Sequence, residues 1–310
     1  MNVLSIIIVN WNAGHLLKDC LESIYRNIIK INCEIFVVDN ASTDGSLEMV
    51  RKEFPQVKLV ENKSNLGFAK ANNQAINKSK GMYILLLNPD TIVQKDAFQN
   101  MIEFMNTHPE AGVAGSKVLY ADGSLQLSCG HFPSLQTEFF HSTLLEEIFP
   151  KSPFIGNFRM TNWDHNSVRE VDWVSGSCLL VRKAVITDVG LLDKAIFMYA
   201  EDIDWCYRIK NAAWKIYYLP QSKIIHLESQ IANTDLTNKL RNGYQGLYYF
   251  FDKHYGKKVA ILFKVLVANG MMLRMTIRSF QYAMNYERKR TRELLKAYFQ
   301  VLRMVLFDLR

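Results

Sequence analysis

The sequence has little proline and glycine and contains no low-complexity segment. Among its 310 residues there are 7 Pro and 15 Gly, while 49% are hydrophobic and 22% are charged. This balance excludes collagen-like chains, which are rich in Gly and Pro, and disordered chains, which have few apolar residues and a high net charge. The length suits either two domains or one α/β domain with an appended region, and it allows a sizeable core.

Cysteine is also scarce, and its spacing argues against two kinds of stabilising site. No CxxC pair occurs among the five residues Cys20, Cys33, Cys129, Cys178 and Cys206. An odd, scattered set is not typical of a disulfide framework or a structural zinc site, so we expect a reducing compartment, the cytoplasm. We also expect no secretory leader, because Met1 leads directly into an apolar run at residues 3–9 without a basic segment or a cleavage site.

Several signature motifs of nucleotide-binding and hydrolytic enzymes are missing from the sequence. It contains no GxxxxGK[ST], GxGxxG, GxSxG or HExxH. P-loop transfer, Rossmann dinucleotide binding, the hydrolase elbow and zincin chemistry therefore lose their usual sequence support. Gly176 lies in a VSGSC segment that lacks the second glycine of an elbow. A metal ion and backbone groups can hold a pyrophosphate without these motifs.

The excess of positive over negative charge lies in the C-terminal part of the chain. The formal net charge is +7, yet Lys253 to Arg310 carry 13 Lys or Arg and 3 Asp or Glu, a balance of +10 that leaves −3 for residues 1–252. No recognition module accompanies the charge, so nucleic acid is disfavoured as a partner.

An apolar run lies inside this basic segment. Lys264 divides the run and Arg274 ends it, whereas a membrane span needs about 20 predominantly apolar residues. We expect an interfacial helix that binds the anionic inner leaflet peripherally. Its predicted apolar face contains Val259, Leu262, Phe263, Leu266 and Val267. A packing helix or a homodimer helix is the alternative.

Apolar β-rich runs alternate with amphipathic segments over the first 120 residues, which is typical of βαβ units and a largely parallel sheet. Strands are predicted at 3–9, 34–38, 57–60, 83–87 and 113–114, and helices at 16–24, 46–54, 68–79 and 95–106. An irregular insertion at 124–169 resembles a substrate-binding lid. Beyond it, strands are predicted at 178–182, 215–219 and 223–226, and helices at 183–188, 201–212, 236–254, 257–286 and 288–309.

Polar clusters follow three of the predicted strands, at the sheet edge where open α/β sheets bind ligands. Asp39 directly follows a buried strand, where an unpaired carboxylate is costly, so a binding role is favoured. For Ser42 and Asp44, helix capping is the alternative. Asp90, in an Asn-Pro-Asp turn, suits a divalent ion that bridges two phosphates, and a plain proline turn is the alternative.

A second group of acidic residues opens a predicted helix. Glu201, Asp202 and Asp204 lie among aromatic residues, and N-capping is one reading of them. A partly desolvated carboxylate has a raised pKa, which suits a general base. His226 ends a predicted strand 24 residues after Asp202, and a structural histidine is the alternative there.

These segments, in this order, resemble the inverting family 2 glycosyltransferases of GT-A fold. The resemblance covers residues 1–230 and is carried by SIIIVNWN (5–12), VDNASTDG (38–45), NLGFA (65–69) with Asn72 and Asn73, LNPD (87–90), DWVSGS (172–177) and EDIDW (201–205). Within the family, the sequence is similar to bacterial rhamnosyltransferase-type enzymes that build O-antigen, capsule or other cell-surface polysaccharides. The resemblance implies an α/β GT-A catalytic domain with a mostly parallel central sheet at residues 1–232 and a helical, basic, amphipathic extension at 233–310.

The resemblance also implies a role for individual residues. Donor binding falls to Asn10, Asp39, Asn73, Asn88 and Asp90, and the acceptor pocket to Trp173, Gly176 and Glu201. Asp202 is the expected catalytic base, while Asp90 and His226 are the expected ligands of Mg²⁺ or Mn²⁺. Asn88 departs from the family's DxD motif, which has Asp at that position.

The partners implied are a dTDP-, UDP- or GDP-linked sugar donor and a glycan or lipid-linked acceptor. The alternative is a catalytically silent nucleotide-sugar-binding or assembly protein with the same fold, since binding alone needs no base.

Overall fold

The structure is a computed structural model that describes residues 3–28, 31–156, 158–227 and 236–308. The chain forms two compact units. Of the described residues, unit 1 contains 3–131, 164–197 and 201–227, and unit 2 contains the remainder. The predicted boundary at residues 232 and 233 lies outside the described residues, and the division into 1–232 and 233–310 stays a prediction.

Unit 1 is built on a mixed sheet whose strands are mostly parallel. Its strands are β1 (Leu4–Asn10), β2 (Cys33–Asp39), β3 (Lys58–Glu61), β4 (Tyr83–Leu87), β5 (Thr91–Val93), β6 (Ala111–Leu119), β7 (Leu125–Gln126), β9 (Arg169–Glu170), β11 (Cys178–Arg182) and β12 (Lys215–His226). Eight of them lie in the order β3-β2-β1-β4-β11-β6-β12-β5, while β7 pairs with β6 and β9 pairs with β12. A separate ribbon pairs β8 (Cys129–Gly130) with β10 (Trp173–Val174).

The pairing directions explain the hydrophobic pattern of the strands. β3, β2, β1 and β4 are mutually parallel, as are β6 and β12, whereas β11 runs antiparallel between β4 and β6. Strands covered on both faces consist of continuous apolar runs, and Ile6, Ile7 and Ile8 of β1 are fully buried. The predicted α/β fold with a mostly parallel sheet is confirmed.

Helices cover this sheet, and their buried faces follow the sequence periodicity. They are α1 (Gly14–Asn27), α2 (Ser46–Glu53), α3 (Gly67–Ile76), α4 (Ala97–Thr107), α7 (Lys183–Val189) and α8 (Glu201–Asn211). In α1 the predicted stripe of Leu16, Leu17, Cys20, Leu21 and Ile24 is buried. All five cysteines of the chain are free.

Three features of the sheet differ from the prediction. The predicted strands 215–219 and 223–226 are one strand, β12, with a register shift between Leu219 and Lys223 where Pro220 lacks an N–H donor. The predicted strand at 113–114 extends over all of β6, because β12 pairs along it. β5 has only three residues, and the prediction missed it.

Unit 2 is helical, which confirms the predicted helical C-terminal region. It contains α5 (Leu135–Ser142), α6 (Leu145–Ile148), α9 (Leu236–Tyr255), α10 (Lys257–Ala283), α11 (Arg288–Arg303) and a π-helical turn (Met304–Asp308). α5 lies in the segment predicted to be irregular and begins at a capping box formed by Ser134 and Thr137. Residue 309, the predicted end of the last helix, lies outside the described residues.

Candidate active site

Polar side chains meet where β1 and β2 end. The parallel register places Asn10 beside Asp39, and the Asn10 Nδ2 donates to Asp39 Oδ1 (2.8 Å), Ser42 Oγ (3.0 Å) and Ser46 Oγ (2.8 Å). The Ser42 backbone N–H donates to Asp39 Oδ2 at 2.9 Å. Asp39 is fully buried. We call these four residues the strand-edge cluster; its hydrogen bonds hold the buried carboxylate in one orientation.

One acceptor of the strand-edge cluster is open. The Asn10 Oδ1 atom is buried and has no hydrogen-bond partner among the described residues. A buried acceptor without a partner is destabilising by about 1–3 kcal/mol, so a donor on a bound ligand would relieve that cost. Asp44, by contrast, accepts from the backbone N–H groups of Gly14 (2.8 Å) and Ser46 (3.1 Å), which fits the capping alternative for this residue.

Asn88, Asp90 and His226 meet at the same edge of the sheet. The Nε2 atom of His226 lies 3.2 Å from Asp90 Oδ1 and 3.2 Å from Asn88 Nδ2. On the other side of the ring, Nδ1 lies 3.0 Å from the Oε1 atom of Gln126. An amide oxygen only accepts, so in the neutral ring the tautomer with its proton on Nδ1 satisfies this contact, and that tautomer has its lone pair on Nε2.

This tautomer makes the space between Asp90 and His226 suitable for a cation. In that tautomer, the imidazole lone pair on Nε2 and the Asp90 carboxylate oxygen face each other at 3.2 Å. Neighbouring ligands of an octahedral ion with bonds of about 2.1 Å lie about 3 Å apart, close to the separation of these two atoms. No group of three His, Cys, Asp or Glu that would hold a metal occurs among the described residues. The residues present therefore fit an ion that takes its other ligands from a substrate and from water.

Two adjacent carboxylates, the acid pair Glu201 and Asp202, begin α8. Asp202 is half-buried, and its Oδ2 accepts from the Gly176 backbone N–H at 2.9 Å while its Oδ1 accepts from the Ile203 N–H at 2.8 Å. Burial raises the pKa of Asp202 above that of an ordinary aspartate, although these hydrogen bonds oppose the shift.

Glu201 is the more buried member of the acid pair. It is 5% exposed, and its Oε2 has no partner among the described residues. Burial, followed by the negative charge of Asp202, raises the pKa of Glu201 well above its ordinary value. Burial thus favours the protonated form of Glu201 and makes the ionised form of Asp202 a stronger base than an ordinary aspartate.

Close backbone packing places Gly176 against the acid pair. A Cβ added to Gly176 would lie 3.2 Å from the Phe68 ring and 3.8 Å from Asp202 Oδ2. Gly67 has a φ of +79°, and a Cβ there would collide with the Phe197 carbonyl oxygen, which accepts from the Phe68 N–H at 2.8 Å. The glycines of the NLGFA and VSGS segments therefore allow Phe68 to pack against Gly176, whose N–H contacts Asp202.

Two predicted site residues have their polar groups engaged elsewhere. The Asn73 side chain donates to the Leu192 carbonyl (2.8 Å) and accepts from the Leu192 N–H (3.2 Å). Trp173 is 8% exposed, and its indole N–H donates to the His131 carbonyl at 2.8 Å. Both side chains join distant segments of the chain through these hydrogen bonds. The predicted contact of Asn73 with the donor and that of Trp173 with the acceptor stay predictions.

Sequence reasoning missed Gln126 as a residue of this site. It lies in β7, inside the segment predicted to be an irregular insertion. The alternation Leu125-Gln126-Leu127 was the available signal, because a polar residue between two leucines indicates a short strand with one face turned inward.

Comparison with known proteins identifies the family. The model of the family described as "Glycosyl transferase family 2" matches residues 5–165. The chain belongs to glycosyl transferase family 2. The family resemblance predicted from the segments around Asn10, Asp39 and Asp90 is thereby confirmed.

Relatives of this family 2 member include rhamnosyltransferases. The chain is 28% identical over 267 residues, 82% of its length and 86% of the relative's, to N-acetylglucosaminyl-diphospho-decaprenol L-rhamnosyltransferase of Mycobacterium tuberculosis. It is 31% identical over 170 residues, 52% of its length and 60% of the relative's, to rhamnosyltransferase WbbL of Escherichia coli. The glycosyltransferase assignment and its rhamnosyltransferase-like character are therefore confirmed.

The fold of this family 2 chain also matches solved structures. Mannosyltransferase PcManGT from Pyrobaculum calidifontis, in complex with GDP-Man and Mn²⁺, aligns with a TM-score of 0.61 at 15% identity, over 99% of this chain and 88% of that one. GalNAc-T7 with UDP, GalNAc and Mn²⁺ aligns with a TM-score of 0.55 at 17% identity, over 73% of this chain and 44% of that one. At these identities the likeness establishes the GT-A fold.

Proposed function

We propose that this protein transfers a sugar, with rhamnose as the first candidate, from a nucleoside diphosphate to a glycan or lipid-linked acceptor in cell-surface polysaccharide synthesis. The transfer inverts the configuration at the anomeric carbon. The observation that carries the proposal is the convergence of three groups on one edge of the unit 1 sheet. The strand-edge cluster lies at the ends of β1 and β2, Asn88 and Asp90 follow β4, and Asp202 of the acid pair contacts Gly176 just before β11. Relatives named as rhamnosyltransferases support the choice of donor.

The nucleotide part of the donor binds at the strand-edge cluster. Asp39 is held by Asn10 and Ser42, and the open Asn10 Oδ1 supplies an acceptor for a polar group of the base or ribose. Asn88 and Asp90 lie one strand further along, within reach of a diphosphate.

A divalent ion completes the donor site. Asp90 and His226 would hold it, and the Gln126 amide oxygen would favour the tautomer whose Nε2 lone pair faces Asp90. When bound, Mg²⁺ or Mn²⁺ neutralises the negative charge that develops on the departing nucleoside diphosphate. Mn²⁺ in the complexes of PcManGT and GalNAc-T7 supports this choice of cofactor.

Asp202 is the general base of the transfer. It accepts the proton of the acceptor hydroxyl while that oxygen forms a bond to the anomeric carbon from the face opposite the diphosphate. The bond from the anomeric carbon to the diphosphate oxygen breaks, and the leaving group keeps the electron pair. A raised pKa suits this task, because it makes the ionised Asp202 a stronger base. The backbone N–H of Gly176 keeps the carboxylate oriented.

The location of the reaction follows from the acceptor. A protein bound peripherally at the cytoplasmic face of the inner membrane would meet an acceptor attached to a lipid diphosphate, which the name of the mycobacterial relative indicates for that enzyme. Association of two copies through the C-terminal helices is the alternative use of unit 2.

The deciding experiment is a donor panel in the presence and absence of Mn²⁺. We expect the full chain to release nucleoside diphosphate from dTDP-rhamnose, and to do so faster than from UDP-hexoses or GDP-mannose. Release that requires metal supports the proposal. Binding without release from any donor, with lipid-linked acceptor present, would instead identify a silent nucleotide-sugar-binding protein.

A further inference from the structure

The outward side of α10 is apolar along most of its length. We call its seven large exposed apolar side chains the outer face of α10: Ile261, Leu262, Val265, Met272, Leu273, Ile277 and Phe280, each between 38% and 69% exposed. At 3.6 residues per turn they fall within an arc of about 160° and extend over about 30 Å. The other exposed residues between positions 261 and 280, Asn269, Thr276 and Ser279, are polar but uncharged.

The opposite side of α10 is packed within unit 2. Phe263 is fully buried and stacks on Phe251 with 4.5 Å between ring centroids. Gly270 lies against α5 so closely that an added Cβ would come within 2.9 Å of Ser142. A surface helix of a soluble protein normally pairs such a buried side with a polar outer side. α10 instead is apolar on both sides, so its outer face needs an apolar partner.

This arrangement corrects the face predicted from the sequence. Phe263 and Val267, two of its five predicted members, are buried inside unit 2, and Val259 and Leu266 are half-buried. Of the five, Leu262 belongs to the exposed side. The prediction placed the stripe on the packed side because both sides of the helix are apolar, and periodicity alone does not distinguish them.

α10 also has the length and composition of a membrane span, with a mean hydropathy of 1.5 in its most apolar window. Its contacts argue against spanning. Arg274 is 8% exposed and donates to the His141 carbonyl at 2.8 Å and to Glu147 Oε1 at 3.2 Å. Moving α10 into a bilayer core would break these bonds and desolvate a guanidinium group. Contact with lipid is therefore restricted to the outer face, with the helix parallel to the surface.

The charge beside the outer face selects the partner. From Lys257 to Arg303 there are 11 Lys or Arg and 2 Asp or Glu. Exposed basic residues flank the outer face at both ends: Lys257 and Lys258 before it, and Arg288, Lys289, Arg290 and Arg292 after it. Two copies meeting through this face would bring like charges together, whereas anionic lipid headgroups oppose the basic residues and acyl chains receive the apolar ones.

We propose that the outer face of α10 is a docking surface for anionic lipid, on which α10 lies in the plane of the membrane interface. This inference deepens the proposed function, from which it takes only the lipid-linked acceptor as a reason for docking. Docking itself requires no catalysis.

The test is flotation of the full chain with vesicles of phosphatidylcholine alone or with 30% phosphatidylglycerol. We expect flotation with the anionic vesicles and partial release at high salt, since salt screens the charges but not the apolar contact. The triple variant Leu262→Ser, Val265→Ser, Met272→Ser should bind at least about tenfold more weakly. Its matched control replaces three exposed apolar residues of unit 1, Met82→Ser, Tyr120→Ser and Val168→Ser, and should bind like the wild type.

Three results would overturn the proposal. The first is equal binding by the outer-face variant and the wild type, and the second is equal loss of binding in the control. The third is a wild type that is dimeric in sedimentation equilibrium and does not bind vesicles, together with an outer-face variant that is monomeric. That result would make the outer face an interface between two copies of the chain. Calorimetry with nucleoside diphosphate and Mn²⁺ on all three proteins separates this failure from that of the proposed function. A wild-type protein that does not bind the nucleotide would contradict the proposed function and would leave the docking proposal unaffected.

Discussion

The strand-edge cluster and the acid pair hold their carboxylates in opposite ways. Asp39 is fully buried, and both of its oxygens receive hydrogen bonds, from Asn10 and Ser42. Glu201 is nearly as buried, yet one of its oxygens has no partner among the described residues. The first arrangement fixes a carboxylate in place, whereas the second favours proton uptake. One edge of a single sheet thus carries both a carboxylate that hydrogen bonds hold in place and a carboxylate whose protonation is favoured.

The sharpest test of this contrast is Asp202→Asn, because an amide keeps the shape of the side chain and loses the ability to accept a proton. We expect the transfer rate to fall by about 10²–10⁴, the range typical of general-base catalysis, with donor affinity within about twofold of the wild type. Steady-state kinetics and calorimetry measure the two quantities.

Asp204→Asn is the matched control for this prediction. Asp204 lies in the same helix but is fully buried and paired with Arg208 at 2.9 Å. Its replacement should lower the melting temperature and leave the rate of the folded protein nearly unchanged. More than half of the wild-type rate in Asp202→Asn would contradict the assignment of the base.

The next largest effect is expected for Asp90→Ala, which removes one of the two facing donors of the proposed ion site. Nucleoside diphosphate affinity in the presence of Mn²⁺ should fall to the level that the wild type has without metal. Calorimetry with and without Mn²⁺ measures this difference. Equal affinities of the wild type with and without the ion would show that Asp90 does not act through a metal.

Gln126→Leu should produce a smaller loss, because Gln126 reaches the ion only through His226. Without an acceptor for the His226 Nδ1–H, the ring can also carry its proton on Nε2, where the lone pair would face the ion. Replacing a residue that orients a metal ligand typically lowers metal affinity by about 10–100-fold. Gln126→Glu keeps an acceptor at this position and is the matched control. We expect Mn²⁺ affinity to fall in the Leu variant and to be retained in the Glu variant, and ¹⁵N shifts of the His226 ring report the tautomer directly. Nδ1 protonation unchanged in the Leu variant would refute the orienting role.

The smallest effect concerns stability and pH. The folded-state pKa of Glu201 is raised above its unfolded value, so its contribution to stability is present at low pH and is lost as the pH rises through that pKa. Glu201→Gln removes this loss of stability at high pH, because an amide side chain does not ionise. Its melting temperature should exceed that of the wild type at pH 8, and the difference should be smaller at pH 5. An equal difference at both pH values would mean that Glu201 titrates alike in the folded and unfolded chains.

Much of unit 1 could be predicted because its signals are local. Buried parallel strands give continuous apolar runs, and polar residues stop those runs at Asn10, Asp39 and Asn88. What escaped prediction depends on pairing between distant segments. β6 is long because β12 lies beside it, and β5 exists because residues 91–93 meet the end of β12.

The same distinction applies to the candidate site. Asp90 and His226 were found as ends of apolar runs, whereas Gln126 was missed because its partner is 100 residues away in sequence. Asn73 was assigned to the donor from the resemblance, yet the structure bonds its amide to Leu192, 119 residues further on. No periodicity in the sequence reports contacts of this kind.

The position of β11 in the centre of the sheet has a consequence for the order of folding. β4 and β6 are complete by residue 119, but the strand that joins them begins only at residue 178. At about 5–20 residues per second, a ribosome needs roughly 3–12 s to cover that distance, and the backbone edges of β4 and β6 lack their shared neighbour during this time. The nascent sheet is therefore exposed to wrong pairing and aggregation until residue 182 has left the ribosome. A fragment that ends near residue 120 would keep that exposure permanently.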